Sequence, residues 1–342
     1  MRDSEPNVVH WNVSKINGPS YGTAKYERRL WEELRRVSGS IDRIQRPNGK
    51  LSGSMPLSWL KRFKTGDYDL VHATFQTVAP AGLFHRPDNF VVTVHDLAPL
   101  VYTNEQRDLS LKLQWNATPP ALRRADRLIA ISEFTKSEIQ RLMDIPESKI
   151  SVVRQGIDRK LYYPQDQAAS REHFDLEPDM NYILVVSSDL EHKRIDTVNK
   201  VLDRVRETDP NTKVLKAGYG QNLQGEHVVN TGWVSEEDMP KLYSAADVYL
   251  HPSEYEGFGL PVLEAIACGT PVVARNVASI PEIVGKTTDL VPPDASVQTF
   301  ADHVIRQMRW DSPVADLVER SRQFTWEDTA TETREVYESV LG

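Results

Sequence analysis

Asp247-Val-Tyr-Leu-His-Pro-Ser-Glu-Tyr-Glu-Gly-Phe-Gly-Leu-Pro-Val-Leu-Glu-Ala-Ile-Ala-Cys-Gly-Thr-Pro-Val-Val-Ala274 carries two carboxylates, Glu256 and Glu264, with seven residues between them. Residues 248–250 read as the end of a buried strand. Gly257 and Gly259 release the backbone for a tight turn, and Pro261 suits the first turn of a helix expected to run to about Ala267. Gly269 stops that helix, and residues 271–274 begin another strand. Strand, glycine loop, helix and strand in this order form a parallel crossover unit, whose helix N-terminus gathers anions at the strand ends.

The carboxylates narrow the choice of anion. A Glu beside a phosphate is repulsive, whereas a carboxylate accepts hydrogen bonds well from sugar hydroxyls. A ligand with phosphate between two polyols, a hexose and a ribose, satisfies both conditions, and that describes a nucleotide sugar. Alone, a Glu-x7-Glu spacing is an ordinary exposed pair. The surrounding glycine loop gives it meaning.

This segment resembles the donor-site signature of the family 4 retaining glycosyltransferases (group 1), whose GT-B fold sets two Rossmann-like α/β domains face to face across a cleft. The resemblance extends over nearly the whole chain, with its specific motifs after residue 180. It implies that Glu256 contacts hydroxyls of the donor sugar, that Gly257, Phe258, Gly259 and Leu260 offer backbone N–H groups, and that Glu264 holds the ribose.

The chain has 342 residues, enough for two domains that each bury a core. Hydrophobic residues make up 39% and charged residues 26%, which excludes a fibrous or disordered protein. One cysteine, Cys268, excludes an internal disulfide framework and fits a reducing compartment, with core filler as its expected role. No signal-peptide apolar region or membrane-spanning run is found, so a cytoplasmic location is expected.

Charge is divided unevenly. Residues 1–165 hold 25 basic and 18 acidic side chains, a net +7, whereas residues 166–342 carry a net −15. Arg28, Arg29, Arg35 and Arg36, then Lys61, Arg62 and Lys64, then Arg123, Arg124 and Arg127, supply much of the positive charge. They are either ordinary solvated faces or a surface for an anionic membrane or lipid-phosphate acceptor at the inner membrane face. Nucleic acid is disfavoured, because no stacking-aromatic platform accompanies them.

Strands and helices alternate in both halves. Strands are expected at 8–13, 70–72, 90–95, 127–132 and 149–153, with helices at 21–37, 110–123 and 133–143, the last capped by Ser132. A linker at 162–181 includes a short helix. The second half is expected to have strands at 182–186, 213–217 and 228–231 and helices at 197–206 and 236–245. The tail, with Trp326, Ala330, Val336, Tyr337 and Val340 near helical spacing, reads as an amphipathic helix. The resemblance implies that it crosses back to the first domain. The domains are then 1–163, Rossmann-like and acceptor-binding; 164–323, Rossmann-like and nucleotide-sugar-binding; and 324–342, the returning helix.

Other side chains at strand ends complete the expected site. Lys193, in the loop after the strand at 182–186, can neutralise a diphosphate, as the Lys at the matching family position does. Where the family commonly has an Arg shortly before that Lys, this chain has Ser188, which leaves Arg194 as the substitute. His95 and Asp96 end a buried strand, and the resemblance casts His95 as a donor to a phosphate or sugar oxygen, oriented by Asp96. His72 is a weaker candidate for the acceptor cleft. Gly22, after Asn17-Gly-Pro-Ser-Tyr21, resembles the family's loop glycine, which lets backbone approach the donor phosphates, and Thr23 is a candidate helix cap.

Neither that loop nor Gly218-Tyr-Gly220 forms a nicotinamide fingerprint. Asp67-Tyr-Asp69 fits a surface turn better than a metal motif, so no metal or resident cofactor is expected. The reading is of a retaining hexosyltransferase that takes a nucleoside-diphosphate sugar to a saccharide or lipid-linked hydroxyl acceptor in glycan biosynthesis. A non-catalytic nucleotide-sugar-binding subunit, a GT-B phosphorylase and an epimerase remain open alternatives. A glycosidase is disfavoured, because one of the two glutamates belongs to a phosphate-type elbow rather than flanking a scissile bond.

Overall fold

The computed structural model describes residues 6–15, 22–38, 41–46, 63, 65–66, 68–102, 109–218, 220, 222–309 and 314–342. Asn17 to Tyr21, Lys61, Arg62, Lys64, Asp67 and Tyr219, named above, lie outside them. The chain divides into two compact units, residues 1–156 with 325–342, and residues 157–324. The change of unit thus falls within the Arg154-Gln-Gly-Ile-Asp158 turn rather than at residue 163.

Among the described residues the first unit is built on six parallel strands, β1 (Val8–Lys15), β2 (Ile41–Arg46), β3 (Leu70–Ala73), β4 (Phe90–Val94), β5 (Arg127–Ala130) and β6 (Ile150–Val152), in the order β2-β1-β3-β4-β5-β6. Strands β3 and β4 are buried along their whole length, as expected where helices cover both faces of a parallel sheet. One core cluster contains Val9, Trp11, Val71, Phe90, Val92 and Leu128. The other joins Tyr26, Leu30 and Leu34 of the helix Gly22–Ser38 to Trp326, Ala330, Val336 and Tyr337 of the helix Trp326–Leu341. The terminal helix therefore belongs to the first unit, and its hydrophobic face is the one that the residue spacing marked.

Local caps define these ends. The Ser132 hydroxyl accepts from Thr135 N–H at 3.0 Å to start the helix Glu133–Met143, and Thr325 accepts from Asp328 N–H at 3.0 Å to start the last one. Gly156 faces that second start so closely that a Cβ would sit 2.1 Å from Trp326 N. Only a residue without a side chain lets the chain pass there.

The second unit has five parallel strands, β7 (Asn181–Val186), β8 (Thr212–Ala217), β9 (Val228–Gly232), β10 (Val248–His251) and β11 (Val272–Ala274), in the order β11-β10-β7-β8-β9. Val198, Val201 and Val205 of the helix Val198–Arg206 pack with Phe300 and Val304 of the helix Val297–Arg309 on Ile183, Val185 and Val214.

Several elements differ from the sequence expectation. Strand β2, Ile-Asp-Arg-Ile-Gln-Arg, is unexpected because it is a half-solvated edge whose charges mask its alternation. The sequence reading assigns no element between 285 and 324, where the structure has the helices Val297–Arg309 and Val314–Ser321. The helix expected from 236 starts at Met239, because the Ser235 hydroxyl accepts from Asp238 N–H at 3.1 Å and closes a separate turn first. Among the described residues no helix is long and apolar enough to cross a membrane.

Candidate functional site

In a parallel sheet, ligands gather at the carboxyl ends of the strands. In the second unit β10 ends at His251, and the chain then makes the Glu256 elbow before the helix Leu260–Ala267. Gly259 takes the left-handed conformation at φ 99°, and a Cβ there would approach Ile280 Cδ1 to 2.9 Å, so both backbone and neighbour call for glycine. Pro261 falls in the first turn, as expected. In its first turn Pro261 has no N–H, and those of Val262 and Leu263 donate to Gly259 O at 2.9 and 3.1 Å, so the positive end of the helix faces the elbow with its turn already closed.

The elbow is fastened from two sides. Ser279 Oγ lies 2.9 Å from Glu256 O and 2.7 Å from Phe258 O and donates its single proton to one of them at a time. The Ser253 hydroxyl donates to Tyr255 O at 3.0 Å, and Glu254 N–H donates to His192 O at 2.8 Å, which ties the loop after β10 to the loop after β7.

That tie delivers Lys193. Its Nζ donates to both carboxylate oxygens of Glu256, at 2.7 and 2.8 Å, across 63 residues of sequence. His251 Nε2 lies 2.9 Å from Oε1 of the same carboxylate, and its Nδ1 lies 3.0 Å from the Tyr249 phenolic OH. Burial opposes ionisation of Glu256, but the charge of Lys193, assisted by His251, more than reverses that and holds the carboxyl well below the usual carboxylate range. Glu256 is therefore an anion at neutral pH, although it is only 8% exposed.

Glu264 has different company. It is buried on the helix Leu260–Ala267 and accepts from Tyr243 OH at 2.9 Å. Burial, then the charge of Glu264, pushes the Tyr162 and Tyr243 phenols up, so both remain protonated donors. The loop after β7 also holds Ser188 and Arg194. Arg194, at φ 51°, turns its guanidinium to Glu254 and, at 3.2 Å, to Asp196. In this structure its charge serves those two acids.

In the first unit, His95 follows β4 and is nearly buried. Its Nε2 lies 3.0 Å from Thr74 O, and a carbonyl only accepts, so the ring proton sits on Nε2 and Nδ1 is the acceptor. Burial lowers its pKa to about 4, partly offset by that carbonyl, so the ring is neutral at pH 7. Two expectations need correction. Thr74, rather than Asp96, orients the imidazole; the Asp96 carboxylate accepts from Ala98 N–H at 3.1 Å. And His95 offers an acceptor rather than a donor.

His72 is corrected more strongly. It is 0% exposed, with Nδ1 2.6 Å from Tyr337 OH and Nε2 2.8 Å from Thr93 Oγ1, so it lines no surface and serves the docking of the terminal helix. Gly22 begins the helix Gly22–Ser38, and a Cβ there would have nothing within 4 Å, so close packing does not demand glycine.

The structure thus brings Lys193, Glu256 and His251 into contact, with Ser188, Arg194 and Glu264 on the same edge of the second sheet. Sequence reasoning missed His251, Tyr243, Tyr162 and Ser279. For His251 a signal existed, since it shares a strand face with Tyr249 and precedes Glu256 by one loop. Among the described residues no group of three or more His, Cys, Asp or Glu side chains is placed to hold a metal ion.

Comparison with known proteins gives a consistent picture. The family model described as glycosyl transferases group 1 matches residues 166–324, and that described as glycosyltransferase family 4 matches residues 14–161. The O-antigen chain mannosyltransferase B of Escherichia coli is 28% identical over 273 residues, 74% of this chain and 71% of that protein. The D-inositol 3-phosphate glycosyltransferase of Mycobacterium sp. (strain JLS) is 30% identical over 304 residues, 82% of this chain but only 63% of that protein. Among solved structures, sucrose-phosphate synthase from Thermosynechococcus elongatus superimposes with a TM-score of 0.78 at 21% identity, covering 97% of this chain and 98% of that one. Anabaena HepE in complex with UDP-glucose gives 0.75 at 18% identity, covering 98% and 100%. These two likenesses establish the fold, with two parallel-sheet α/β domains and a helical C-terminus, as GT-B.

Proposed function

Because the chain belongs to the group 1, family 4 glycosyltransferases, we propose that it transfers a hexose from a nucleoside-diphosphate sugar to a hydroxyl acceptor with retention at the anomeric carbon. The observation that carries this reading is the anionic Glu256 beside Lys193 at the start of the helix Leu260–Ala267. A fixed carboxylate accepts from sugar hydroxyls, while the ammonium and the helix N-terminus neutralise the diphosphate. Glu264, held among the Tyr243 and Tyr162 hydroxyls, is suited to ribose hydroxyls. Within the first unit, His95 Nδ1 is an acceptor suited to a sugar hydroxyl. Glu256 is then a hydroxyl ligand rather than the nucleophile, and the leaving phosphate assists deprotonation of the acceptor.

The reading has a direct test. Nucleotide sugars screened by thermal shift should yield at least one that raises Tm, since a ligand selective for the folded state adds RT ln(1 + [L]/Kd). That donor, incubated with saccharide and lipid-linked acceptors, should give a product whose anomeric configuration matches the donor's by NMR. Binding without transfer to any acceptor would mark a nucleotide-sugar-binding subunit instead, and phosphate-dependent cleavage or an epimerised donor would mark the phosphorylase or epimerase.

We place the protein in the cytoplasm, with its basic first domain meeting an anionic lipid or membrane surface. The support is the net +7 of residues 1–165. Sedimentation with phosphatidylglycerol vesicles should exceed that with phosphatidylcholine vesicles and fade between low and 0.5 M salt. Equal indifference to both would remove the membrane from this account.

A further inference from the structure

The strand ladder stops short of His95. Strands β3 and β4 pair as far as Ala73 and Val92, and His95 comes three residues later, so its backbone lies beyond the β3 ladder. A side chain takes the place of the missing strand. Gln76, 0% exposed, follows β3 and spans two residues: its Oε1 accepts from His95 N–H at 3.0 Å, and its Nε2 donates to Asp96 O at 2.9 Å. A main-chain N–H only donates and a carbonyl only accepts, so both ends of the amide are fixed.

The imidazole is held from the same segment. Thr74 O, two residues before Gln76, accepts from His95 Nε2, and the Phe75 ring between them lies 5.1 Å from the imidazole. Tyr26 meets that imidazole edge-on at 4.6 Å. Thr74 is itself tied down. Its Oγ1 lies 2.8 Å from Oε1 of the buried Glu27, whose carboxyl also accepts from Val13 N–H at 2.7 Å and Ser14 N–H at 3.0 Å. Residues 74 to 76 therefore form a cradle for His95 that the helix Gly22–Ser38 and the end of β1 hold in place.

We propose that Gln76 is a positioning residue for glycosyl transfer: it holds the His95 backbone where the ring reaches Thr74 O, which presents Nδ1 to a sugar hydroxyl. The proposal rests on the role given to His95 above. Without the amide, a buried N–H and a carbonyl lose their partners, and the His95–Asp96 peptide shifts to find others. A misplacement of about 1 Å costs up to about 10²-fold in rate. Gln76→Met keeps the length of the side chain but none of its hydrogen bonds, and should lower kcat about tenfold. Donor KM should change by less than about twofold, because Lys193, Glu256 and Glu264 belong to the second unit.

A double-mutant cycle separates positioning from general loss of structure. In the full-length protein, with the donor and acceptor found by the screen above, His95→Ala should lower kcat more than Gln76→Met does. Adding Gln76→Met to His95→Ala should then cost less than about twofold further. Histidine-selective 15N labelling gives a readout that needs no substrate. The His95 signal, identified by its absence from His95→Ala, should report one Nε2–H tautomer in the wild type and a shifted or mixed one in Gln76→Met. Circular dichroism and Tm check folding. Should Gln76→Met fail to fold, Gln76→Glu carries the same cycle and the same NMR comparison, since it keeps the acceptor for His95 N–H and loses the donor to Asp96 O. Equal losses with and without His95, or a wild-type His95 signal together with wild-type kcat, would overturn the inference and leave the role of His95 intact. Wild-type turnover in His95→Ala would overturn both. If no nucleotide sugar is turned over, the proposed function falls, and the NMR comparison alone decides whether Gln76 holds the ring.

Discussion

Glu256→Gln is expected to lower kcat for glycosyl transfer by about 10²- to 10³-fold, the range seen when one preorganised electrostatic group is removed from an active site. The amide keeps the shape but loses the charge. It offers one acceptor oxygen in place of two, and its NH2 group points a donor at either Lys193 Nζ or His251 Nε2, which now donate to two carboxylate oxygens or stand close to one. The loop itself should stay in place, because Ser279 and the Ser253 turn hold it through backbone carbonyls that the substitution does not touch. The expected signature is a large loss of turnover with a near-normal circular dichroism spectrum. Turnover within threefold of wild type would remove Glu256 from the site, and with it the reading of the elbow.

Tyr337→Phe is expected to cause the largest loss of stability outside the site. One hydroxyl serves two buried imidazoles, at 3.0 Å from His10 Nε2 and 2.6 Å from His72 Nδ1. Its loss leaves two buried nitrogens unsatisfied, each costing about 1–3 kcal/mol. Both histidines lie on the strands against which the terminal helix packs, so the first unit should unfold at a lower urea concentration. An unchanged urea midpoint would show that the helix is held by its apolar face alone.

The same cluster sets a pH dependence. Burial, with Arg43, lowers His10 to about 3, burial lowers His95 to about 4, and burial with the neighbouring histidines lowers His72 well below its ordinary value of 6.5. Below pH 6.5 the unfolded chain therefore binds more protons than the folded one. The stability of the first unit is complete above about pH 6.5 and falls as pH drops through 4 toward 3. Near-UV circular dichroism, which reports on buried Trp11, should follow that loss, and Tyr337→Phe should move its midpoint to higher pH.

Much of this was legible in the sequence because it is local. The apolar runs at 182–186 and 248–250, the cap Ser132, and the Gly257 to Pro261 turn depend on backbone preferences that a few neighbouring residues decide. So did the two-sheet α/β class and the amphipathic tail. Strand β2 was hidden because an edge strand buries too little for its pattern to show. His72 was misread for the opposite reason: its surroundings come from Thr93, 21 residues away, and Tyr337, 265 residues away.

The sequence alone determined that Glu256 sits on a glycine elbow at the head of a helix, since turn and helix-start chemistry are written within a dozen residues. Tertiary structure alone decided what that carboxylate is: Lys193, 63 residues distant, and His251 across the loop make a buried acid an anion. Charge state depends on burial and on neighbours in space, and neither is a property of any short stretch of chain.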